Sequence, residues 1–201
     1  MDTLSPPAPR RAVSRSIAAW LGVALLATLA PVLAQSDGQG VAAYKKLSLA
    51  QLMEEVTSMI RGLQTYRDRR VLLGLDKDEP LTVYGNANEI KQVLLNLTIN
   101  ALEATPPRDG EVRVAAKRIN EWVELEVADN GRGMSPEIVD HVFEPFFTAK
   151  RGVGGPGTGL GLSITHAIVE SHGGNVRATS AGPGLGSKFV VRLPALARSV
   201  N

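Results

Sequence analysis

The order of elements legible in this 201-residue chain predicts an α+β two-layer sandwich, a mixed sheet with helices on one face. Three observations predict it. Apolar residues recur at helical spacing in two long stretches, after Leu47 and from Asn86 to Ala104. Four later stretches alternate apolar and polar residues and pair as two hairpins. Glycine, proline and short polar runs punctuate the chain between them.

Taken in order, the first helix is expected from Leu47, with Leu49, Leu52, Val56, Met59, Ile60 and Leu63 on one side and Ser48 with Gln51 as a capping box. "RRVLLGL" and "LTVYG" read as short strands either side of the acidic turn "DKDEP". The second helix, Asn86 to Ala104, sets Ile90, Val93, Leu94, Leu97, Ala101 and Ala104 in an apolar stripe and is broken by "TPPRDG". "EVRVAAKR" and "EWVELEVA" form a hairpin turning near Ile119 and Asn120, with Val123, Leu125 and Val127 on the face opposite Trp122, Glu124 and Glu126. "SPEIVDHVF" is a short helix with Ser135 as N-cap and Pro136 at its first position. "GLSITHAIVESH" is a longer one, stopped by Gly173 and Gly174. "NVRATS" and "SKFVVRLP" close the chain as a hairpin around "AGPGLG".

Composition narrows the function. Apolar residues make up 44% of the chain and charged residues 21%, ordinary for a globular protein, and aromatics only 4%, so the core is aliphatic. The absence of cysteine excludes disulfides, thiolate metal sites and cysteine nucleophiles. Arg10, Arg11 and Arg15 against Asp2 account for the basic balance; subtracting them from totals of 22 and 20 leaves 19 basic and 19 acidic side chains from residue 37 on. Without a basic run or interleaved aromatics, nucleic acid is not an expected partner. Residues 16–34, "SIAAWLGVALLATLAPVLA", follow those arginines and read as a signal peptide or membrane anchor. The expected division is therefore a leader and linker over 1–40, one domain over 41–196 and a tail over 197–201.

Three stretches carry candidate chemistry. On the second helix Gln92, Asn96, Asn100 and Glu103 share the side away from the apolar stripe. This is either a solvated face or, since an asparagine oxygen is a hard neutral Mg²⁺ ligand and its NH₂ can donate to phosphate, a ligand site. "VADNGRGMS" sets Asp129 where an apolar strand ends, followed by Gly131 and Gly133. It is either a plain turn or a carboxylate that accepts from an exocyclic amine, with glycines admitting a flat ligand. "RGVGGPGTGLGLS", residues 151–163, has six glycines before a helix start, either a loose loop or a phosphate cradle of backbone N–H groups. No G-K-[ST] follows it, so it is not a Walker motif.

In this order these stretches resemble the ATP-binding catalytic domain of bacterial sensor histidine kinases, within the wider gyrase, Hsp90 and mismatch-repair ATPase group, from about Ser48 to Pro194. "QVLLNLTINALEA" resembles the N box, "DNGRGM" the first glycine box, "VFEPFFTAK" the F box, "GTGLGLSI" the second glycine box and "GLGSKFVVRLP" the closing strand; the style is nearest the nitrogen-regulation type. The resemblance implies a Bergerat-type fold, with ATP and Mg²⁺ as cofactors. It implies that Asn100 holds the metal and Asn96 supports the same cluster. Asp129 would contact adenine, with Gly131 and Gly133 shaping its pocket, while Gly157, Thr158, Gly159, Leu160 and Gly161 approach the phosphates. Thr148 to Pro156 would form an ATP lid anchored by Phe143, Phe146 and Phe147, and Lys150 is either a phosphate contact or a solvated lid residue.

Three features qualify what the resemblance implies. Hydrolysing members carry a glutamate general base one turn before the metal asparagine, whereas Asn96 is an amide, which favours holding ATP for transfer. A lysine often follows the metal asparagine by three residues, where this chain has Glu103. No histidine precedes His141, and neither it, His166 nor His172 lies in a dimerisation helix, so the phosphoacceptor is expected on another chain or a longer parent protein. The expected activity is that of the catalytic part of a protein-histidine kinase, with a response regulator as an indirect partner. An ATP-binding module without transfer, or a serine kinase of the anti-sigma type, are the alternatives. Need of ATP places the domain in the cytoplasm, with inner-membrane association through residues 16–34, although a used signal peptide would export it.

Overall fold

The computed structural model describes residues 43–76, 79–148 and 158–197. The leader, Lys150, Gly157, the expected lid after Thr148 and residues 198–201 of the tail lie outside the described residues. Along the chain run β1 (Lys45–Ser48), α1 (Leu49–Arg61), a 3-10 turn (Gln64–Tyr66), β2 (Arg70–Leu75), β3 (Thr82–Gly85), α2 (Ala87–Ala104), β4 (Glu111–Ile119) and β5 (Trp122–Asp129). They are followed by α3 (Pro136–His141), α4 (Gly161–Ser171), β6 (Asn175–Thr179) and β7 (Ser187–Pro194).

Five strands form one mixed sheet in the order β2-β4-β5-β7-β6. The pair β2 and β4 is parallel, which needs a long crossover and has one in β3 and α2; the other pairs are antiparallel. Period-two alternation sends Val112, Val114, Val123, Leu125, Val127, Phe189, Val191 and Leu193 to one face, where all are buried with residues of α1 and α2. On the other face Glu124 is buried too, held by Arg192 at 2.9 Å and Lys117 at 3.6 Å, while Glu126 pairs with Lys188 at 3.7 Å. Charge on that face leaves one face for the helices, and the two-layer sandwich follows. Among the described residues no helix is long and apolar enough to cross a membrane.

One expected boundary is corrected. Leu47 does not begin a helix: Lys45–Ser48 is a strand, antiparallel to β3, and α1 starts at Leu49. Ser48 does cap it, its Oγ accepting from the Gln51 N–H at 3.4 Å. Leu47 is buried as a strand residue opposite Val83, a tertiary pairing that local periodicity does not report.

α2 is the central helix. Its buried set is wider than the expected stripe, adding Leu95, Asn96, Thr98, Ile99 and Leu102 to Ile90, Val93, Leu94, Leu97 and Ala101, because α1, the sheet and α4 pack around it. Leu97 is fully buried there. Leu97→Ala is expected to destabilise the fold by about 2–5 kcal/mol, the range for a leucine truncated in a core that cannot collapse onto the gap. Urea unfolding followed by circular dichroism measures it, and an unshifted midpoint would remove α2 from the core.

Candidate functional site

The site is built where the C-terminal half of α2 meets the start of α4. Asn96, nearly fully buried, donates from Nδ2 to the Gly161 carbonyl at 3.1 Å and approaches Thr165 Oγ1 at 3.4 Å. The Thr165 hydroxyl donates to the same carbonyl at 2.9 Å. A methyl built on Gly161 would stand 3.8 Å from Asn100 Nδ2 and 4.0 Å from Asn96 Cγ, so both asparagines face the first residue of α4. The half-buried Asn100 has no side-chain hydrogen bond within the described residues.

The polar line on α2 is therefore split. Asn96 is committed to holding α4, Asn100 presents a free amide at the end of that helix, and Glu103 is exposed. The first N–H groups of α4 have no intrahelical partner by geometry, and its N-cap position is Leu160, whose side chain cannot supply one. Such an end attracts anions. Thr158, which is exposed, accepts from the Leu160 N–H at 3.4 Å and so shapes the turn into the helix.

Asp129 ends β5, between Val112 of β4 and Ser187 of β7. Its Oδ1 accepts from the Gly131 N–H at 2.8 Å. Burial lifts the carboxyl above the ordinary carboxylate range; the Gly131 and Ser187 amides and the Arg132 charge oppose that lift without cancelling it. The loop that follows is docked to the end of α2: Arg132 N–H donates to the Ala104 carbonyl at 3.0 Å, and a Cβ on Gly131 would run into that carbonyl. This contact brings Asp129 to the same end of α2 as Asn100, one turn before Ala104.

Sequence reasoning missed the partner of this loop. Gly133, with φ +64°, packs against the Gly182 carbonyl, and Gly131 and Arg132 carbonyls accept from Gly186 and Gly184 N–H groups. Ser180 Oγ accepts from Met134 N–H at 3.0 Å and donates to Gly186 O at 2.6 Å. Gly186, also at positive φ, lies against the Asp129 backbone. The signal was present in the glycines of "AGPGLG", which read only as a hairpin turn.

The F-box phenylalanines divide in role. Phe143 is half-buried and meets Phe189 edge-on at 6.2 Å. Phe146 exposes its ring but anchors through its backbone: at φ +64° its N–H donates to the Gly159 carbonyl at 3.0 Å. Gly159, at φ +69°, has no room for a Cβ against Phe146. Of the three histidines, the exposed His141 pairs with Glu144, the half-buried His166 with Glu170, and His172 is buried.

A metal would find no carboxylate cage: among the described residues no three histidine, aspartate or glutamate side chains converge. The Asn100 amide is a hard, neutral oxygen donor, which suits Mg²⁺ held mostly by phosphate and water.

Comparison with known proteins agrees with this geometry. Residues 85–197, more than half of the chain, match the model of the histidine kinase-, DNA gyrase B- and HSP90-like ATPase family. The two-component sensor PprA of Pseudomonas aeruginosa is 44% identical over 120 residues, 57% of this chain and 13% of PprA. Sporulation kinase B of Bacillus subtilis is 31% identical over 147 residues, 73% of this chain and 33% of that protein. The chain thus spans no more than a third of the length of these two curated relatives. The nucleotide-free catalytic domain of histidine kinase ThkA superposes with a TM-score of 0.66 at 30% identity, over 76% of this chain and 97% of that one. With its two-layer sandwich, its asparagine-bearing central helix and its glycine-rich loops, this chain belongs to the family of histidine kinase-, DNA gyrase B- and HSP90-like ATPases.

Proposed function

We propose that residues 41–196 bind Mg-ATP and serve as the catalytic part of a protein-histidine kinase. The γ-phosphate would pass to a histidine on a dimerisation domain outside the described residues, and from there to a response regulator. The observation that carries this is the free Asn100 amide facing the open N-terminus of α4, with Asp129 held at the same end of α2. In this reading Asp129 accepts from the adenine amine, the first N–H groups of α4 meet phosphate oxygens, and Asn100 holds the metal. Held by Asn100, Mg²⁺ would supply neutralisation of the phosphate charge. Gly157 and Lys150 are assigned to the phosphate side by resemblance alone.

The chemistry is transfer rather than hydrolysis. Asn96 is an amide that cannot take a proton at neutral pH, and its NH₂ is already bonded to Gly161. Transfer breaks the bond from γ-phosphorus to the bridging oxygen, forms a phosphorus–nitrogen bond on the acceptor imidazole and releases ADP. The deciding experiment is Mg-ATP calorimetry on the chain, followed by γ-labelled ATP with an isolated dimerisation domain. Acid-labile label on that domain supports the proposal; acid-stable label would point to a serine kinase, and none to a binding module.

Asn100→Ala is expected to abolish Mg²⁺-dependent gain in nucleotide affinity and to leave adenosine binding almost unchanged, since the residue would touch only metal and phosphate. Equal losses for adenosine and Mg-ATP, read by calorimetry, would show damage to α2 instead.

Asp129→Asn is expected to weaken ATP binding by about 1.5–3 kcal/mol, the cost of a charge-assisted hydrogen bond. The same change is expected to stabilise the empty domain at neutral pH. A carboxyl whose folded pKa is raised favours the fold when protonated, so native stability rises as pH falls through its range, and the amide removes that dependence. Melting curves from neutral to mildly acid pH test this; parallel profiles for both proteins would refute it.

The purified chain is expected to hydrolyse ATP slowly and not to label itself. A general base contributes about 10²–10⁴-fold, and none is placed at Asn96. Rapid release of inorganic phosphate, or acid-labile phosphate on His141, His166 or His172, would overturn the assignment.

A further inference from the structure

The junction of α2 and α4 is clasped twice. The Asn96–Gly161 bond holds the end at the site. At the opposite end His172, the C-cap of α4, reaches the N-cap of α2: the Asn86 N–H donates to His172 Nε2 at 3.1 Å. The other ring nitrogen lies 2.7 Å from the Ile168 carbonyl. A carbonyl can only accept and an N–H can only donate, so the imidazole is neutral with its proton on Nδ1. The eleven residues of α4 separate the two clasps by about 16 Å.

The place of this ring is built by several elements. Tyr44 stacks on it at 4.9 Å between centroids and donates to the Ser171 carbonyl at 3.4 Å. A Cβ on Gly85 would stand only 2.5 Å from His172 Cδ2, so the absence of a side chain there makes room for the ring. Asn86 in turn accepts from the Asn88 N–H at 3.0 Å and donates to Glu89 at 3.1 Å, so the residue that His172 grips is the one that starts α2.

We infer that His172 is a positioning residue for the metal and phosphate half of the nucleotide site, acting through Asn86 on the register of α2 against α4. With both clasps in place the two ends of α4 are hydrogen-bonded to α2, which fixes Asn100 relative to the start of α4. Asp129 itself is fixed by strand pairing to β4 and β7, so the strand that carries the adenine contact keeps its place without this clasp. The inference rests on the Mg-ATP reading of the site.

The test compares His172→Asn with His172→Gln in the full chain. Asparagine can keep the bond to Ile168 but is one methylene too short to accept from Asn86; glutamine reaches. His172→Asn is expected to weaken Mg-ATP binding roughly 5–30-fold, the effect of a lost buried hydrogen bond, with adenosine affinity unchanged within about twofold. His172→Gln is expected to recover Mg-ATP affinity to within about threefold of the unsubstituted chain. Should His172→Asn fail to fold, Gly85→Ala, which drives a methyl into the ring edge, is expected to give the same split between the two ligands. Equal losses for adenosine and Mg-ATP, no recovery with glutamine, or unchanged Mg-ATP affinity would each overturn the inference. If the unsubstituted chain bound neither ligand, the Mg-ATP reading would fail and this inference with it; binding by the unsubstituted chain and His172→Asn alike would sink this inference alone.

Discussion

The Gly161 carbonyl accepts from both Asn96 and Thr165, and the helical layer depends on it. α2 lies between the sheet, α1 and α4, so an amide on its inner side must find a partner or cost about 1–3 kcal/mol. Bonding Asn96 to the first residue of α4 meets that demand and sets where the open end of α4 lies. Asn100, one turn on, is then the amide left without an internal use. A structural constraint and a free amide thus lie one turn apart on one helix, distinguished only by which of them α4 satisfies.

The second organising contact is backbone on backbone. The loop after Asp129 packs against Ala104 on one side and the 180–186 loop on the other, at distances that admit only glycine at 131, 133 and 186. These glycines are explained by close approach of main chain to main chain, before any ligand is considered. The result is a half-buried carboxylate with a raised pKa at the end of a core strand. Burial disfavours its charged form, and the Gly131 and Ser187 amides that hold the turn only partly offset that.

The sheet shows the same economy on its other side. Glu124 and Glu126 are neutralised by Lys117, Arg192 and Lys188 across neighbouring strands, so that face needs no helical cover. All three helices long enough to bury an apolar face therefore compete for one side, and α2, which has the largest set of buried residues, takes the middle.

Most of the element order was legible in the sequence, because period-two and period-3.6 patterns, Ser135 with Pro136, and Gly173 with Gly174 are local signals with local causes. The amide pair on an apolar helix and the acid at a strand end were legible as candidates, each beside an ordinary reading as a solvated face or a plain turn. What tertiary structure decided was their division of labour: which asparagine is bonded to Gly161 and which is free, that Leu47 pairs in a strand, that "AGPGLG" is the floor beneath Gly133, and that His172 caps two helices at once. Each depends on a contact between residues distant in the chain, and periodicity records only which face a residue turns, not what will meet it there.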